Sequence, residues 1–323
     1  MMLNFLLRRI YASIATFFIV ISLVFFIIRL TGDPLANLED YPGITPEIID
    51  SMRTLFGLNK PLYAQYFDFI VNLFKGQLGY SLLYKKPVAE VILNRLPYTL
   101  ALLIPSVTLS NYIAYKLGLE CGWRRRGAIG LTLLFLSIIF TSIPYFCFAF
   151  LFLYLFSVRL GVTPVFGAIS PNDNAPFLSL NWFEDYMRHY ILPFIVLTLR
   201  ESLILIPYIR GIVVEVLGED YITTAYAKGL PTKAIKYRYV ARNVLPPIMT
   251  VMGLRYASLV DGAVITETIF SYPGTGRLVF EAIVNRDYWL LQGAVIILTL
   301  NVIIVNFIID LIYLVLDPRI RFR

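Results

Sequence analysis

The sequence predicts an all-α integral membrane protein with six transmembrane helices, on three observations. Hydrophobic residues make up 58% of its 323 positions and charged residues only 15%, against roughly 25% charged in ordinary globular domains. Several apolar runs reach the roughly 20 residues that a helix needs to cross the hydrocarbon core. Backbone N–H and C=O groups facing lipid must pair within their own segment, so these runs are helices and not open sheet.

Taken in order, the spans fall at about Ile10–Ile28, Leu96–Leu117, Gly130–Val158, Tyr190–Val216, Val251–Phe270 and Trp289–Leu316. The first follows Arg8-Arg9 in the manner of an export signal. Its run of about 19 residues is long for a signal core and no small-x-small cleavage site follows, so it reads as a retained span. In the long segment after it, Thr45-Pro46-Glu47 opens a helix, with Thr as N-cap and Pro in the first turn. That helix should stop near Gly57. A second runs from Pro61 through Leu73, where Leu62, Tyr66, Phe69, Ile70 and Leu73 recur at helical spacing. Both are amphipathic, and periodicity leaves open whether they lie on the membrane surface or cap the bundle. The segment from Arg159 to His189 is rich in Pro, Gly and Asn and reads as ordered turns. Ser271 to Arg277 is a tight turn leading to a short helix through Asn285. Pro144 and Pro207 read as kinks within their spans. Residues 1–95 form the first span with its extension, and residues 96–323 the remaining membrane domain.

An even number of spans puts both termini on one side, and the basic residues choose the side. Arg8-Arg9, Lys116, Arg124 to Arg126, the Arg210–Arg242 region and the Arg319, Arg321, Arg323 tail hold about fifteen Lys and Arg. The three opposite connections are longer yet hold only about ten. Both termini are therefore expected to be cytoplasmic in a cell membrane, and the net charge of +7 follows from this bias. Nucleic-acid binding is the poorer explanation of that charge. Cys121, Cys147 and His189 make neither a disulfide framework nor a metal-ligand spacing. No metal, cofactor or catalytic residue is expected.

The most informative stretch is Gly218-Glu219-Asp220-Tyr221-Ile222-Thr223-Thr224-Ala225-Tyr226-Ala227-Lys228-Gly229-Leu230, followed by Pro231. It is a short helix in the aqueous segment after the fourth span. Its acids complement the positive end of the helix, and Gly229 suits a left-handed C-terminal position. Pro231 prevents continuation, and Thr232 caps a second helix that ends before Pro246-Pro247. Such a stiff knob is a handle for a cytosolic partner. Periodicity alone equally allows an amphipathic hairpin lying on lipid headgroups.

The same residues resemble the permease subunits of binding-protein-dependent ABC importers, in the dipeptide, oligopeptide and nickel group (B-type permeases). Glu219-Asp220-Tyr221-Ile222-x-Thr224-Ala225-x-Ala227-Lys228-Gly229-Leu230 is similar to that group's cytoplasmic motif, and Arg242-Asn243-x-Leu245-x-Pro247 to its downstream half. Leu78-Gly79-Tyr80-Ser81, Arg95-x-Pro97-x-Thr99, Ser142-Ile143-Pro144 and His189-x-x-Leu192-Pro193 fit its earlier segments. Gly262 to Gly276, Asn285-Arg286-Asp287-Tyr288 and Leu316-Asp317-Pro318-Arg319-Ile320 fit the end. Thr223, Tyr226 and Pro207 stand where the group usually has arginine.

The resemblance implies a type I, MetI-like ABC permease fold with an N-terminal outer extension between spans one and two. It implies a non-catalytic transport subunit that pairs with a second, homologous permease to form the path. Two cytosolic ABC ATPase subunits and an extracytoplasmic substrate-binding protein complete the assembly. The Glu219–Leu230 helix would sit in a groove on an ATPase. Peptides are the implied solute, with nickel chelates or oligosaccharides as related possibilities. Independently of the resemblance, the chain contains no G-x-x-x-x-G-K-[ST] phosphate loop, so ATP hydrolysis is expected on another chain.

Arg200, Glu201, Arg255, Asp261 and Glu267 fall within or beside apolar spans. Burying each alone costs on the order of 2.5–3.5 kcal/mol, so they should face protein or water. They are expected to line a pathway or to pair internally. Arg200 and Glu201 diverge by about 100° on a helix, which predicts separate partners. Glu267, near the outer end, is expected to anchor the Ser271–Gly276 turn. An ion-coupled secondary transporter is the alternative function, but no inverted repeat supports it. A membrane-embedded hydrolase would need a partner for His189, and none is visible.

Overall fold

The computed structural model describes residues 2–32, 35, 45–124, 127–170, 176, 179–257 and 259–316. Helix α1 (Met2–Thr31) precedes two shorter helices, α2 (Pro46–Leu55) and α3 (Leu62–Phe74). A two-residue hairpin, β1 (Tyr80–Ser81) against β2 (Lys86–Pro87), pairs Tyr80 with Pro87 and Ser81 with Lys86. It leads into α4 (Val88–Trp123). Helices α5 (Ala128–Ser142) and α6 (Tyr145–Phe152) follow, with a π-helical turn over Leu153–Arg159. Next come α7 (Leu180–Val216), α8 (Asp220–Ala227), α9 (Thr232–Ala234), a second π-helical turn over Ile235–Val240, and α10 (Ala241–Ala257). The chain closes with α11 (Leu259–Ile269), α12 (Thr275–Val284) and α13 (Tyr288–Leu316).

Among the described residues four helices are long and apolar enough to cross a membrane: Leu7–Leu30 in α1, all of α4, all of α7, and Tyr288–Leu311 in α13. A fifth candidate is broken. Gly130–Ser142 and Tyr145–Arg159 meet at 104°, where a single third span was predicted. The cause is Pro144, which lacks an N–H and excludes the helical region for its predecessor. Ile143 accordingly takes φ −80°, ψ 128°. The predicted span Val251–Phe270 is shared between α10 and α11, and residue 258 lies outside the described residues.

Two further expectations are corrected. Helix α7 begins at Leu180, ten residues before its predicted start. Ser179 caps it by accepting from the Trp182 N–H at 3.3 Å. Trp182, Tyr186, Tyr190 and Phe194 then stack at four-residue intervals, with centroids 5.2–5.7 Å apart. The turn composition of the preceding segment had masked that start. The helix expected to end before Pro246-Pro247 runs on through both prolines to Ala257. The carbonyls these prolines leave without a helical donor belong to Arg242 and Asn243, both exposed, so they can be solvated. Its N-cap is Pro231, with Thr232 already in the helix.

The chain divides into two compact units. The first comprises residues 1–97 and 274–304. Here α3 packs on α1: Phe69 stacks on Phe25 at 5.3 Å, and Tyr66 meets Phe25 edge-on while its hydroxyl lies 2.6 Å from Ser22 Oγ. The Tyr66 and Phe69 side of α3 thus packs on α1. A buried cluster joins Val88 and Ile92 of α4, Leu278 and Ala282 of α12, and Leu290 and Ala294 of α13. Asp287, 2% exposed, clamps the hairpin. Its Oδ2 accepts from Ser81 Oγ at 2.6 Å and the Leu83 N–H at 3.1 Å, and its Oδ1 accepts from the Leu290 N–H at 3.1 Å. Nearby, Tyr84 donates its hydroxyl to Glu281, which Arg277 also holds at 2.8 Å.

The second unit comprises residues 98–273 and 305–323. One of its buried clusters joins Leu102 and Val107 of α4, Phe148 and Ala149 of α6, Val196 and Leu197 of α7, and Ala263 of α11. The other joins Ala114 and Leu119 of α4, Leu205 to Val213 of α7, and Val244 to Met252 of α10. Helices α4 and α7 approach closely at Gly118 and Gly122. A Cβ on these residues would lie 2.7 Å from Ile209 Cβ and 2.5 Å from Val213 Cβ, so only glycine fits.

Candidate coupling helix and membrane polar cluster

Helix α8 starts because Glu219 adopts an extended N-cap conformation and Asp220 places a carboxylate in the first turn. It stops at a paired glycine cap. The Gly229 N–H donates to the Tyr226 carbonyl at 2.9 Å, and the Leu230 N–H to the Ala225 carbonyl at 3.3 Å. Those two bonds define a Schellman motif, and Gly229 supplies its left-handed residue at φ +69°. The expected end at Gly229 is observed.

Only two α8 side chains are buried, Ile222 and Ala225. They enter the cluster formed by α4, α7 and α10, and Leu230 packs half-buried against it. Of the nine candidate residues, Glu219, Asp220, Tyr221, Thr224, Ala227, Lys228 and Gly229 are exposed, while Ala225 and Leu230 serve as anchors. Burial pushes the Tyr221 hydroxyl above its ordinary pKa, and the Glu219 charge adds to the shift. Below the helix, Lys236 is 9% exposed, pairs with Glu120 of α4, and lies 5.9 Å from the Trp123 ring. Glu120 also holds Arg124 at 2.6 Å. The sequence reading missed this brace. Lys236 sits in the π-helical turn, which buries the successive residues Ile235 and Lys236 together.

The membrane charges fall into two places. Arg200 and Glu201 were predicted to have separate partners, and instead they bind each other: Arg200 Nη1 reaches Glu201 Oε1 at 2.6 Å. Their Cα–Cβ directions diverge, but both side chains are long enough to fold back along α7. Arg255 of α10 approaches the other carboxylate oxygen at 3.7 Å. Glu201 is 6% exposed. The Arg200 guanidinium also lies 4.5 Å above the Tyr145 ring of α6, and Tyr145 shares a hydrogen bond with Thr266 of α11. Glu267 lies apart from this cluster and is fully buried. Its Oε1 accepts from Thr99 Oγ1 at 2.7 Å, and its carbonyl accepts the Tyr272 N–H at 2.8 Å. The second bond is made by the main chain, and the carboxylate itself is bonded to Thr99 of α4 rather than to the Ser271–Gly276 turn. The Asp261 side chain and the tail motif at 317–323 lie outside the described residues.

His189 is 6% exposed, and its Nδ1 faces the Asp185 carbonyl at 2.8 Å, a satisfied interior histidine. Among the described residues no three His, Cys, Asp or Glu side chains gather as a metal site.

Residues 114–322 match the sequence family described as "Binding-protein-dependent transport system inner membrane component", and residues 2–103 match the N-terminal component of the same systems. The chain is 36% identical to the di/tripeptide transport system permease protein DppB of Pseudomonas aeruginosa, over 99% of both chains. It is 35% identical to the dipeptide transport system permease protein DppB of Escherichia coli K12, over 100% of both. Identity to the glutathione transport system permease protein GsiC of Escherichia coli O6:H1 is 33%, again over 100% of both. Among solved structures, an inward-facing MetNI methionine ABC transporter is similar in fold, with a TM-score of 0.54 at 15% identity. That similarity covers 70% of this chain and 96% of the other. With its helical order, its short capped α8 and end-to-end similarity to these permeases, the chain belongs to the inner membrane components of binding-protein-dependent transport systems and is a permease subunit with the type I ABC permease fold.

Proposed function

We propose that this permease forms half of the translocation path of an ATP-driven importer for peptides, and that α8 is its contact with a separate ATPase. The observation that carries the coupling role is the division of α8. Two side chains and Leu230 root it in the membrane helices, while the rest of its surface is offered to a partner. A helix lying on headgroups would turn an apolar face outward. Here the aliphatic residues Ile222 and Ala225 point inward, and the outer face mixes Asp220, Thr223, Thr224 and Lys228 with the exposed rings of Tyr221 and Tyr226.

The assembly that fits this surface has a second homologous permease, two cytosolic ATPase subunits and an extracytoplasmic substrate-binding protein, with both termini of this chain cytoplasmic. The names of the DppB and GsiC relatives favour peptides as the solute over nickel chelates or oligosaccharides. Closure of the ATPases would then move the spans between inward- and outward-open states as near-rigid bodies. The test is purification of this chain from its native membrane in mild detergent. Co-purification of a second permease and ATPases, with ATP hydrolysis stimulated by a peptide-loaded binding protein, is the expected result. A chain recovered intact and alone across several detergents would overturn it.

A further inference from the structure

The Arg200–Glu201–Arg255 cluster has features that a structural ion pair does not need. Arg200 lies near the middle of the 37-residue α7, yet its side chain is 33% exposed, and that of Arg255 29%. A guanidinium exposed to lipid at that depth is costly, so the exposed portions face water or another subunit. Glu201 is used up: one carboxylate oxygen meets Arg200 and the other Arg255. Its role is to hold two guanidiniums in place. The Tyr145 ring fixes Arg200 from a third side. Arg200 is also the charged member of a small cavity lined by Phe140, Ile143, Tyr145, Phe148 and Leu203. That cavity adjoins the break at Pro144, where no side chain caps the first turn of α6. Helix breaks at membrane depth are tolerated where they line a cavity.

We infer that Arg200, aimed by Glu201 and Tyr145, is a binding group for a carboxylate of the transported solute, which in a peptide is its C-terminus. This rests on the peptide reading above. A planar guanidinium donates paired N–H groups to a carboxylate. Glu201 occupies only Nη1 of Arg200, so the rest of the guanidinium fork can turn to the solute. The cavity measures about 10 Å³, room for about one water. The carboxylate therefore enters when the path widens between conformations.

The experiment reconstitutes the complete transporter, with its binding protein, into liposomes. It compares uptake of a peptide with a free C-terminus and of the same peptide amidated. The binding protein biases both forms equally in wild type and variant, so the change in their uptake ratio isolates the permease. Arg200→Gln is expected to lower the free-acid to amide ratio about tenfold, the scale of one charge-assisted hydrogen bond. Arg200→Lys keeps the charge but neither the fork nor the seat over Tyr145, and its ratio is expected to fall between those of wild type and Arg200→Gln. An unchanged ratio in Arg200→Gln, or an equal loss for both peptides, would overturn the proposal. Loss of the second permease from the Arg200→Gln complex would also overturn it, assigning the cluster to a subunit contact. A wild-type transporter that carries neither peptide would instead refute the peptide reading on which the inference stands.

Discussion

Replacement of Gly229 tests the proposed coupling role of α8 at its left-handed residue. Its φ of +69° lies in the left-handed region, where an L side chain costs about 1–2 kcal/mol. A Cβ there would meet nothing within 4 Å in this chain, so the penalty is backbone strain without an internal clash. Relieving that strain breaks the bonds from Gly229 and Leu230 to Tyr226 and Ala225, and withdraws Leu230 from its packing. A cost of that size lowers the population of the native cap about 5–30-fold. Asparagine tolerates the left-handed region better than alanine, and valine tolerates it worst. Coupled uptake should therefore fall in the order Gly229→Asn, Gly229→Ala, Gly229→Val, while insertion and assembly persist. The assay is peptide uptake in liposomes beside basal ATP hydrolysis and the subunit composition of each variant. Wild-type uptake by Gly229→Val would sink the coupling role. So would three variants with equal losses, because backbone strain ranks them.

Ile222, 2% exposed, anchors α8, and Ile222→Ala should destabilise its seating by about 2–5 kcal/mol. Thr223→Ala on the exposed face should change stability by less than about 0.5 kcal/mol; limited proteolysis of the 218–231 segment distinguishes the two. Asp287→Asn replaces one of the two accepting oxygens by an NH2 that cannot accept, leaving at least one of the three donors unpaired, and should cost about 1–3 kcal/mol. Amide exchange should then accelerate at Leu83 or Leu290, whichever faces the new NH2, and unchanged protection at both would refute the clamp. Burial, with the Glu281 carboxylate second, pushes the Tyr84 hydroxyl from 10.0 up to about 12. A raised folded-state pKa stabilises the protein fully below the unfolded value. The contribution of Tyr84 should therefore fade as pH rises from about 10 through about 12. The wild-type melting temperature should fall more steeply than that of Tyr84→Phe over this window.

Features governed by local rules were legible in the sequence. The helix start after Thr45 (whose side chain makes no capping bond), the period of α3, the Gly229 cap and the short helix before Asn285 all appear where propensity and capping put them. The misreadings came where one local signal had two outcomes. Pro144 breaks its helix, whereas Pro193 and Pro207 sit inside α7, and Pro246 and Pro247 inside α10. Residue identity cannot separate these cases, because they turn on what receives the orphaned carbonyl. The polar contacts were less legible still. The pairing of Lys236 with Glu120 spans 116 residues and depends on a π-helical turn. The Arg200–Glu201 pair was misjudged by treating side chains as rigid spokes. The exposed α8 residues were readable from their motif, but the division between anchors and outward surface required the fold.

On the proposed reading, the two parts of the site are joined by the helices between them. Ile222 and Ala225 share a cluster with α7 and α10, and those helices carry Glu201 and Arg255. Helix α7 is held against α4 by glycine-enabled backbone contact at Gly118 and Gly122, and shares with α10 both a buried apolar cluster and the 3.7 Å approach of Arg255 to Glu201. A push on α8 is not absorbed within α8, which is two turns long and capped at its C-terminal end. It passes into α7 and α10 through the cluster they share with Ile222 and Ala225. Relative movement of α10 against α7 therefore loosens or tightens the hold on Glu201, and through Glu201 the orientation of Arg200. That gives ATPase movement at the cytosolic face a physical route to the strength of carboxylate binding within the membrane. The route needs no motion in α8 beyond rigid displacement.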